Sequence, residues 1–228
     1  MSDAREIVSV VPVRGGSKGL PDKNTRCLGG LPLYLRAALQ GERTVGRCII
    51  TTDIDEILSA TMPSNTSVIR RSEQLAEDDT LMAPVLFDLI ERCELQSATI
   101  VLLQATSPLR LDSDINAALD MFSTSQFDLV MSVSRKDSEV LKYGTLEDGR
   151  YAPFRDPQFC FANRQNLPPV YSSNGAVYVF SAQAFLESRG FPASSIGALE
   201  MPEERSFDID TLEDFLRAEA AFRDRNAD

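Results

Sequence analysis

The chain has 228 residues, 43% of them hydrophobic, enough for a sizeable core in one domain or in one domain with a small lobe. Its net charge of −11 argues against a general binder of nucleic acid or of anionic membrane surfaces. There is no histidine, and the four cysteines (Cys27, Cys48, Cys93 and Cys160) form no CxxC pair, which removes most zinc sites and every histidine-based triad or general base.

The opening "MSDAREIVSVV" has no basic segment followed by an apolar one, so no secretory leader is expected. No apolar run approaches the ~18 residues of a membrane span, and unpaired thiols fit a reducing, cytoplasmic setting. The first element is the β-branched run Ile7–Val13, which opens into a loop of glycines and cations. "LYLRAALQ" follows at helical spacing, then the strand-like Cys48–Thr52, the helical "IDEILSA", and a short strand ahead of Arg70 and Arg71. "APVLFDLIERC" predicts a helix, Thr99–Gln104 a strand, "DINAALDMF" a helix and Phe127–Val133 a strand. Alternation breaks between about Lys142 and Ser173, where Asp148-Gly149 is a hairpin signal and four prolines exclude a long helix. This stretch reads as an inserted β arm whose aromatics (Tyr151, Phe154, Phe159, Phe161) pack either on a partner subunit or on this chain's own sheet. Ala176–Phe180 is a further strand, and "TLEDFLRAEAAFRDRNAD" a closing helix with a polar end. Short, doubly apolar strands alternating with helices predict one α/β domain over 1–228, a mostly parallel sheet sandwiched by helices. In such sheets ligands bind beyond the carboxyl ends of the strands.

The chemistry concentrates in "VVPVRGGSKGLPDKN", Val10 to Asn24. It is neither a Walker A motif nor a dinucleotide fingerprint, because Pro21 and "CLGG" keep a helix from starting before about Leu31. Gly15, Gly16 and Gly19 let backbone N–H groups approach an anion, and Arg14, Lys18 and Lys23 bring three cations to it. A triphosphate suits such a loop, since its displacement passes through a charge-rich transition state. The plain alternative is a mobile Gly-Ser turn with solvated lysines. In "FDIDTLEDF", an extended backbone puts Asp208 and Asp210 on one face and Ile209 on the other, a plausible site for a hard cation such as Mg2+. Asp210-Thr-Leu-Glu213 also matches a capping box, so Asp210 equally reads as the cap of the last helix. "LLQATSPLR" places Gln104, Thr106, Ser107 and Arg110 in a proline-closed turn facing the same crevice. "NRQNLPPVYSSNGAVYVF" brings Arg164, Gln165 and Asn174 to the start of the last strand.

In this order the pieces resemble the cytidylyltransferases that activate nine-carbon acidic sugars, the CMP-sialic acid (acylneuraminate) synthetases and their legionaminic and pseudaminic acid relatives. "VPVRGGSKGLPDKN" is similar to the family's opening signature with Val13 in place of alanine, and "LLQATSPLR" to its second motif with Ala105 for proline. "RQNLPPVYSSNGAVYVF" and "FDIDTLEDF" resemble two later motifs, "TTDIDEI" and "RRSEQLAEDDT" match more weakly, and together they run from Val10 to Phe215. The resemblance implies a Rossmann-like nucleotidyltransferase fold whose arm, about 142–173, serves a homodimer. It implies CTP and a nonulosonic acid as substrates, pyrophosphate as a product and Mg2+ or Mn2+ as cofactor, with no role for nucleic acid or membrane. By the same resemblance, Arg14, Lys23 and Asp210 are catalytic, and Arg14, Gly15, Gly16, Ser17, Lys18, Lys23, Asn24 and Arg71 bind nucleotide. Gln104, Lys142, Arg164, Gln165 and Asn174 would meet the sugar acid, and Asp208 and Asp210 the metal. Asn163, Met82 and the single Phe191 depart from the pattern and leave the sugar open. Transfer to an eight-carbon ulosonic acid and a catalytically silent nucleotide-binding homologue are the alternatives. The first is expected to carry a shorter loop, and the second to have lost the loop cations or the aspartate pair.

Overall fold

A computed structural model describes residues 6–225. Its strands are β1 (Ile7–Pro12), the two-residue pieces β2 (Cys27–Leu28) and β3 (Leu31–Pro32), β4 (Cys48–Thr52), β5 (Thr66–Arg70), β6 (Thr99–Leu103), β7 (Leu129–Lys136), β8 (Gly144–Glu147), β9 (Arg150–Pro153), β10 (Val170–Ser181) and β11 (Ile196–Glu200). Its helices are α1 (Leu33–Val45), α2 (Asp55–Ser59), α3 (Met82–Arg92), α4 (Asp112–Ser123), α5 (Ala182–Glu187) and α6 (Leu212–Arg225). The main sheet has the order β11-β7-β10-β6-β1-β4-β5. β10 alone runs antiparallel to its neighbours, and every other pair is parallel.

The mostly parallel sandwich expected from the sequence is therefore present, and side-chain alternation explains its two cores. In β1, Val8 and Val10 face Leu86, Leu89 and Ile90 of α3 and Phe185 of α5. Val11 and the following Val13 face Ala37 and Ala38 of α1, Ile115 of α4 and Phe215 of α6. All of β4 and β6 is buried, as central strands covered on both faces must be.

Several boundaries differ from expectation. β10 starts at Val170 rather than Ala176, because residues 171–173 are exposed and the polar run Ser172-Ser173-Asn174-Gly175 interrupts the apolar signal. Its register with β7 breaks between Ser173 and Tyr178, around Gly175, whose φ of +76 is left-handed. β11 was not anticipated, since its burial is mixed and Gly197 interrupts it, and neither was the six-residue α5. Arg70 belongs to β5, where it is exposed and paired with Asp55 at 2.6 Å; only Arg71 stands beyond the strand.

The arm forms as a β8–β9 hairpin turned by Asp148 (φ +47) and Gly149 (φ +78), followed by short 3-10 turns. Tyr151, Phe154 and Phe161 are 52%, 64% and 85% exposed, so these three do not cover this chain's own sheet. Among the described residues no helix is long and apolar enough to cross a membrane.

Candidate active site

The loop after β1 is pinned at three places. Gly15 donates its N–H to Asp53 Oδ1 at 2.9 Å, just beyond β4. Asn24, buried in the 3-10 turn Lys23–Thr25, donates from Nδ2 to the Arg14 carbonyl at 3.0 Å and so ties the two ends of the loop together. Gly19 lies so close to the last motif that a Cβ there would stand 2.5 Å from the Asp210 carbonyl oxygen. That approach lets Lys23 Nζ reach Asp210 Oδ1 at 2.9 Å, with the lysine side chain only 14% exposed. Of the three glycines expected to admit an anion, Gly15 thus spends its N–H on Asp53, Gly19 serves a close backbone approach, and Gly16 (φ +65) makes the turn.

The other two cations share one counter-ion. Asp78, in the segment after β5, takes Arg14 Nη1 at 2.5 Å on one oxygen and Lys18 Nζ at 2.7 Å on the other. The hydrogen bonds from Lys18 and Arg14 hold the Asp78 carboxyl below its ordinary value, and Asp78 in turn raises Lys18. Sequence reasoning missed Asp78 and Asp53. Asp53 had a signal, an acid directly after a buried strand, whereas Asp78 sits in a polar loop with none.

Arg14, Ser17, Lys23, Asn24, Arg71 and Gln104 line one cleft at the carboxyl edge of the sheet, with Leu75, Met82 and Val85 as its apolar lining. Gly15 and Gly16 line the groove beside it, along with Asp53. Arg71 is 5% exposed and donates from Nη2 to the Thr51 carbonyl at 3.0 Å, while its Nε has no partner among the described residues. Burial pushes its guanidinium down to about 10, Asp53 opposes the shift, and Arg14 adds to it.

The aspartate motif is bound to the loop after β6, since Ile209 donates its N–H to the Thr106 carbonyl at 2.9 Å. Ile209 is fully buried, and Asp208 and Asp210 point the other way, as alternation requires. The capping box forms one residue later than the sequence pattern proposed. The Thr211 hydroxyl accepts from the Asp214 N–H at 3.2 Å, and Asp214 Oδ2 accepts from the Thr211 N–H at 2.9 Å. Asp210 is therefore not the cap, and its carboxylate is left to Lys23. Crowding by the surrounding protein raises the Asp208 carboxyl above its ordinary value; the Thr106 hydroxyl lowers it and Asp210 raises it further. Among the described residues no group of three acidic, cysteine or histidine side chains is placed to hold a metal. A cation at Asp208 and Asp210 would need further oxygens from a bound substrate.

The residues expected to meet the sugar acid divide. Gln104 lines the cleft. Asn174 is spent internally: its Oδ1 accepts from Ser132 Oγ at 2.6 Å and its Nδ2 donates to Ser206 Oγ at 2.9 Å, which fixes the backbone bend at Gly175. A Cβ on Gly175 would lie 3.8 Å from Ser107 Oγ, 3.9 Å from Gln104 Cγ and 4.0 Å from Asp208 Oδ2, so this turn passes between the second and last motifs. Lys142, Arg164 and Gln165 stand on the arm and line no part of the cleft, and Arg164 is paired with Asp137 at 2.6 Å. Arg110, expected in the crevice, is buried and turned away to the Ala176 carbonyl at 2.6 Å.

A doubly covered parallel sheet with a pinned, cationic glycine loop and an aspartate pair at its carboxyl edge belongs to the nucleotidyltransferase class of α/β folds. Its likeness to a solved CMP:2-keto-3-deoxy-manno-octonic acid synthetase complexed with CTP agrees, with a TM-score of 0.71 over 96% of this chain and 99% of that one at 15% identity. The chain itself belongs to the cytidylyltransferase family, whose model matches residues 8–191. It is 32% identical to the N-acylneuraminate cytidylyltransferase of Streptococcus agalactiae serotype V across 92% of this chain, and spans 51% of that protein's length. It is 30% identical to the CMP-N,N'-diacetyllegionaminic acid synthase of Legionella pneumophila, covering 93% of this chain and 94% of the relative.

Proposed function

We propose that this protein transfers the cytidylyl group of CTP to a nonulosonic acid of the sialic acid kind, giving the CMP-sugar and pyrophosphate. The observation that carries this reading is the meeting of Arg14, Lys23, Asn24, Arg71 and Gln104 around one cleft, with Lys23 bound to Asp210. The names of its sequence relatives support the choice of a nine-carbon acid.

In this reading the anomeric hydroxyl attacks the α-phosphorus in line. The new O–P bond forms as the bond to pyrophosphate breaks, and the hydroxyl proton leaves to a carboxylate or to water. Lys23 and Arg14 stabilise charge on the phosphates, and Lys18 with the N–H groups after Gly15 holds the leaving group. Asn24 and Arg71 meet the nucleotide, and Gln104 the sugar acid. Lys142, Arg164 and Gln165 act from the arm, whose exposed aromatics dock on a second subunit of a cytoplasmic homodimer; a one-chain mass in sedimentation would remove that part. Asp208 and Asp210 fit a divalent cation, because the charge of Asp210 raises the affinity of Asp208 for a proton, a repulsion that a cation would relieve. Mg2+ or Mn2+ there would neutralise phosphate charge.

Pyrophosphate release with CTP and Mg2+ across sialic, legionaminic, pseudaminic and 3-deoxy-octulosonic acids tests the reading. Release with a nine-carbon acid is expected. Release only with the eight-carbon acid would change the substrate, and release with none would leave a nucleotide-binding homologue.

Asp78 makes a separate prediction. It occupies the two cations that the triphosphate needs, and exposed ion pairs stabilise a fold little. Asp78→Asn is therefore expected to lower the KM for CTP a few-fold with kcat nearly unchanged. A raised KM would instead make Asp78 a support that holds the loop in shape.

A further inference from the structure

Positive charge gathers a second time, away from the cleft. Arg36 of α1, Arg110 of the loop after β6 and Arg225 at the end of α6 line one surface recess, together with Arg43 and Asp112 at the start of α4. Arg43 is already neutralised, since its Nε and Nη2 bond Asp112 at 2.5 and 2.8 Å. The other three guanidiniums bond only neutral acceptors among the described residues. Arg36 donates to the Leu28 carbonyl, Arg225 to the Leu109 carbonyl at 3.1 Å, and Arg110 to the Ala176 carbonyl at 2.6 Å and to Gln40 Oε1 at 3.1 Å.

That is unusual placement in a chain whose acidic residues outnumber its basic ones 34 to 23. Arg36 and Arg225 both stack on the Phe222 ring, at 4.6 and 5.7 Å from its centre, so two like charges are held beside one another. Burial lowers the affinity of Arg36 for its proton and Arg225 lowers it further, a cost that an anion between them would relieve. Arg110 is 2% exposed, and its Nε, like that of Arg36, has no partner among the described residues. The N-terminus of the 12-residue α4 opens into the same recess, where Asp112 and Asp114 of its first turn already meet part of its preference for negative charge.

We propose that this recess is a second anion site, which takes the phosphate or carboxylate group of a small molecule between Arg36, Arg225 and the start of α4. Leu39, Pro108 and Leu111 give its ligand a short apolar wall. The site is connected to the cleft through Arg110. The Nη1 of Arg110 bonds the carbonyls of Gln104 at 3.3 Å and Ala176 at 2.6 Å, one a cleft residue and the other next to Gly175. An anion that draws on Arg110 therefore acts on the backbone at two points of the candidate active site.

Amide NMR of the labelled protein tests this without any assay of turnover. Sodium phosphate is titrated in one series and citrate in another, each against sodium chloride at matched ionic strength. Saturable shifts are expected at the amides of Arg36, Leu39 and Ser113, in the phosphate series, the citrate series or both according to the group the site prefers. Arg225→Gln, at an exposed helix end, is expected to weaken that binding about tenfold, the usual worth of one charge-assisted hydrogen bond. Shifts confined to the Gly16 and Lys18 amides, shifts reproduced by sodium chloride, or affinity unchanged in Arg225→Gln would each overturn the proposal.

Discussion

Replacing Lys23 with alanine is expected to slow cytidylyl transfer by about two to three orders of magnitude, the usual loss when one preorganised charge at a developing anion is removed. Lys23 is well placed for so large an effect. Its side chain is only 14% exposed, so water replaces it poorly, and it lines the cleft on one side while bonding Asp210 on the other. Removing it subtracts a cation from the phosphates and leaves Asp208 and Asp210 facing each other without the positive charge that moderates them. Both losses fall on the transition state, so kcat should drop with KM changing less. Asp210→Asn should cost a comparable factor, and the double variant less than the product of the two, because the residues act through one contact. Steady-state rates with the accepted sugar decide it. Turnover by Lys23→Ala within about tenfold of the parent, an effect of only ~1.4 kcal/mol, would remove Lys23 from the chemistry.

The two residues of that contact lie 187 positions apart, and this separation marks what the sequence could and could not tell. Each motif was legible alone. β4 matched its expected bounds, and β1 and β6 each ended one residue short, because buried strands announce themselves as β-branched runs. The meeting of the motifs depends on the order of strands in the sheet and on the Gly19 approach to Asp210, neither of which a linear pattern records. The Asp210–Glu213 box expected from the sequence had a competitor at the same spacing, Thr211 with Asp214, one residue on. The second box won because a threonine hydroxyl lies within reach of the Asp214 carboxylate as well as its N–H, a reciprocity that a carboxylate cap cannot offer. Asp78 was illegible because its partners are reached only when the loop after β5 folds back over the loop after β1. Arg110 misled for the opposite reason, since a polar residue beside a site motif proved to be part of the frame.

That frame is where the largest loss of stability is expected. Arg110→Met should lower the free energy of unfolding by about 3 kcal/mol or more, measured by urea titration at neutral pH. The side chain is 2% exposed and satisfies three acceptors at once: the carbonyls of Gln104 and Ala176 and the side-chain oxygen of Gln40. Methionine fills similar space but donates nothing, so buried acceptors are stranded at about 1–3 kcal/mol apiece. Relief works in the other direction, because a charge no longer has to be kept out of water. Burial brings the Arg110 guanidinium down to about 10, which is still above neutral pH, so the charge is present and the relief is real. The stranded acceptors outweigh it because the Ala176 carbonyl sits at a bend fixed by Asn174 and Gly175 and cannot turn toward another donor, whereas the Gln104 carbonyl keeps the Ser107 N–H. Arg110→Lys, with one ammonium to share among the three, should fall between the parent and the methionine variant. An Arg110→Met protein within about 1 kcal/mol of the parent would mean that the carbonyls find donors elsewhere, and that the bend beside the candidate active site is held without Arg110.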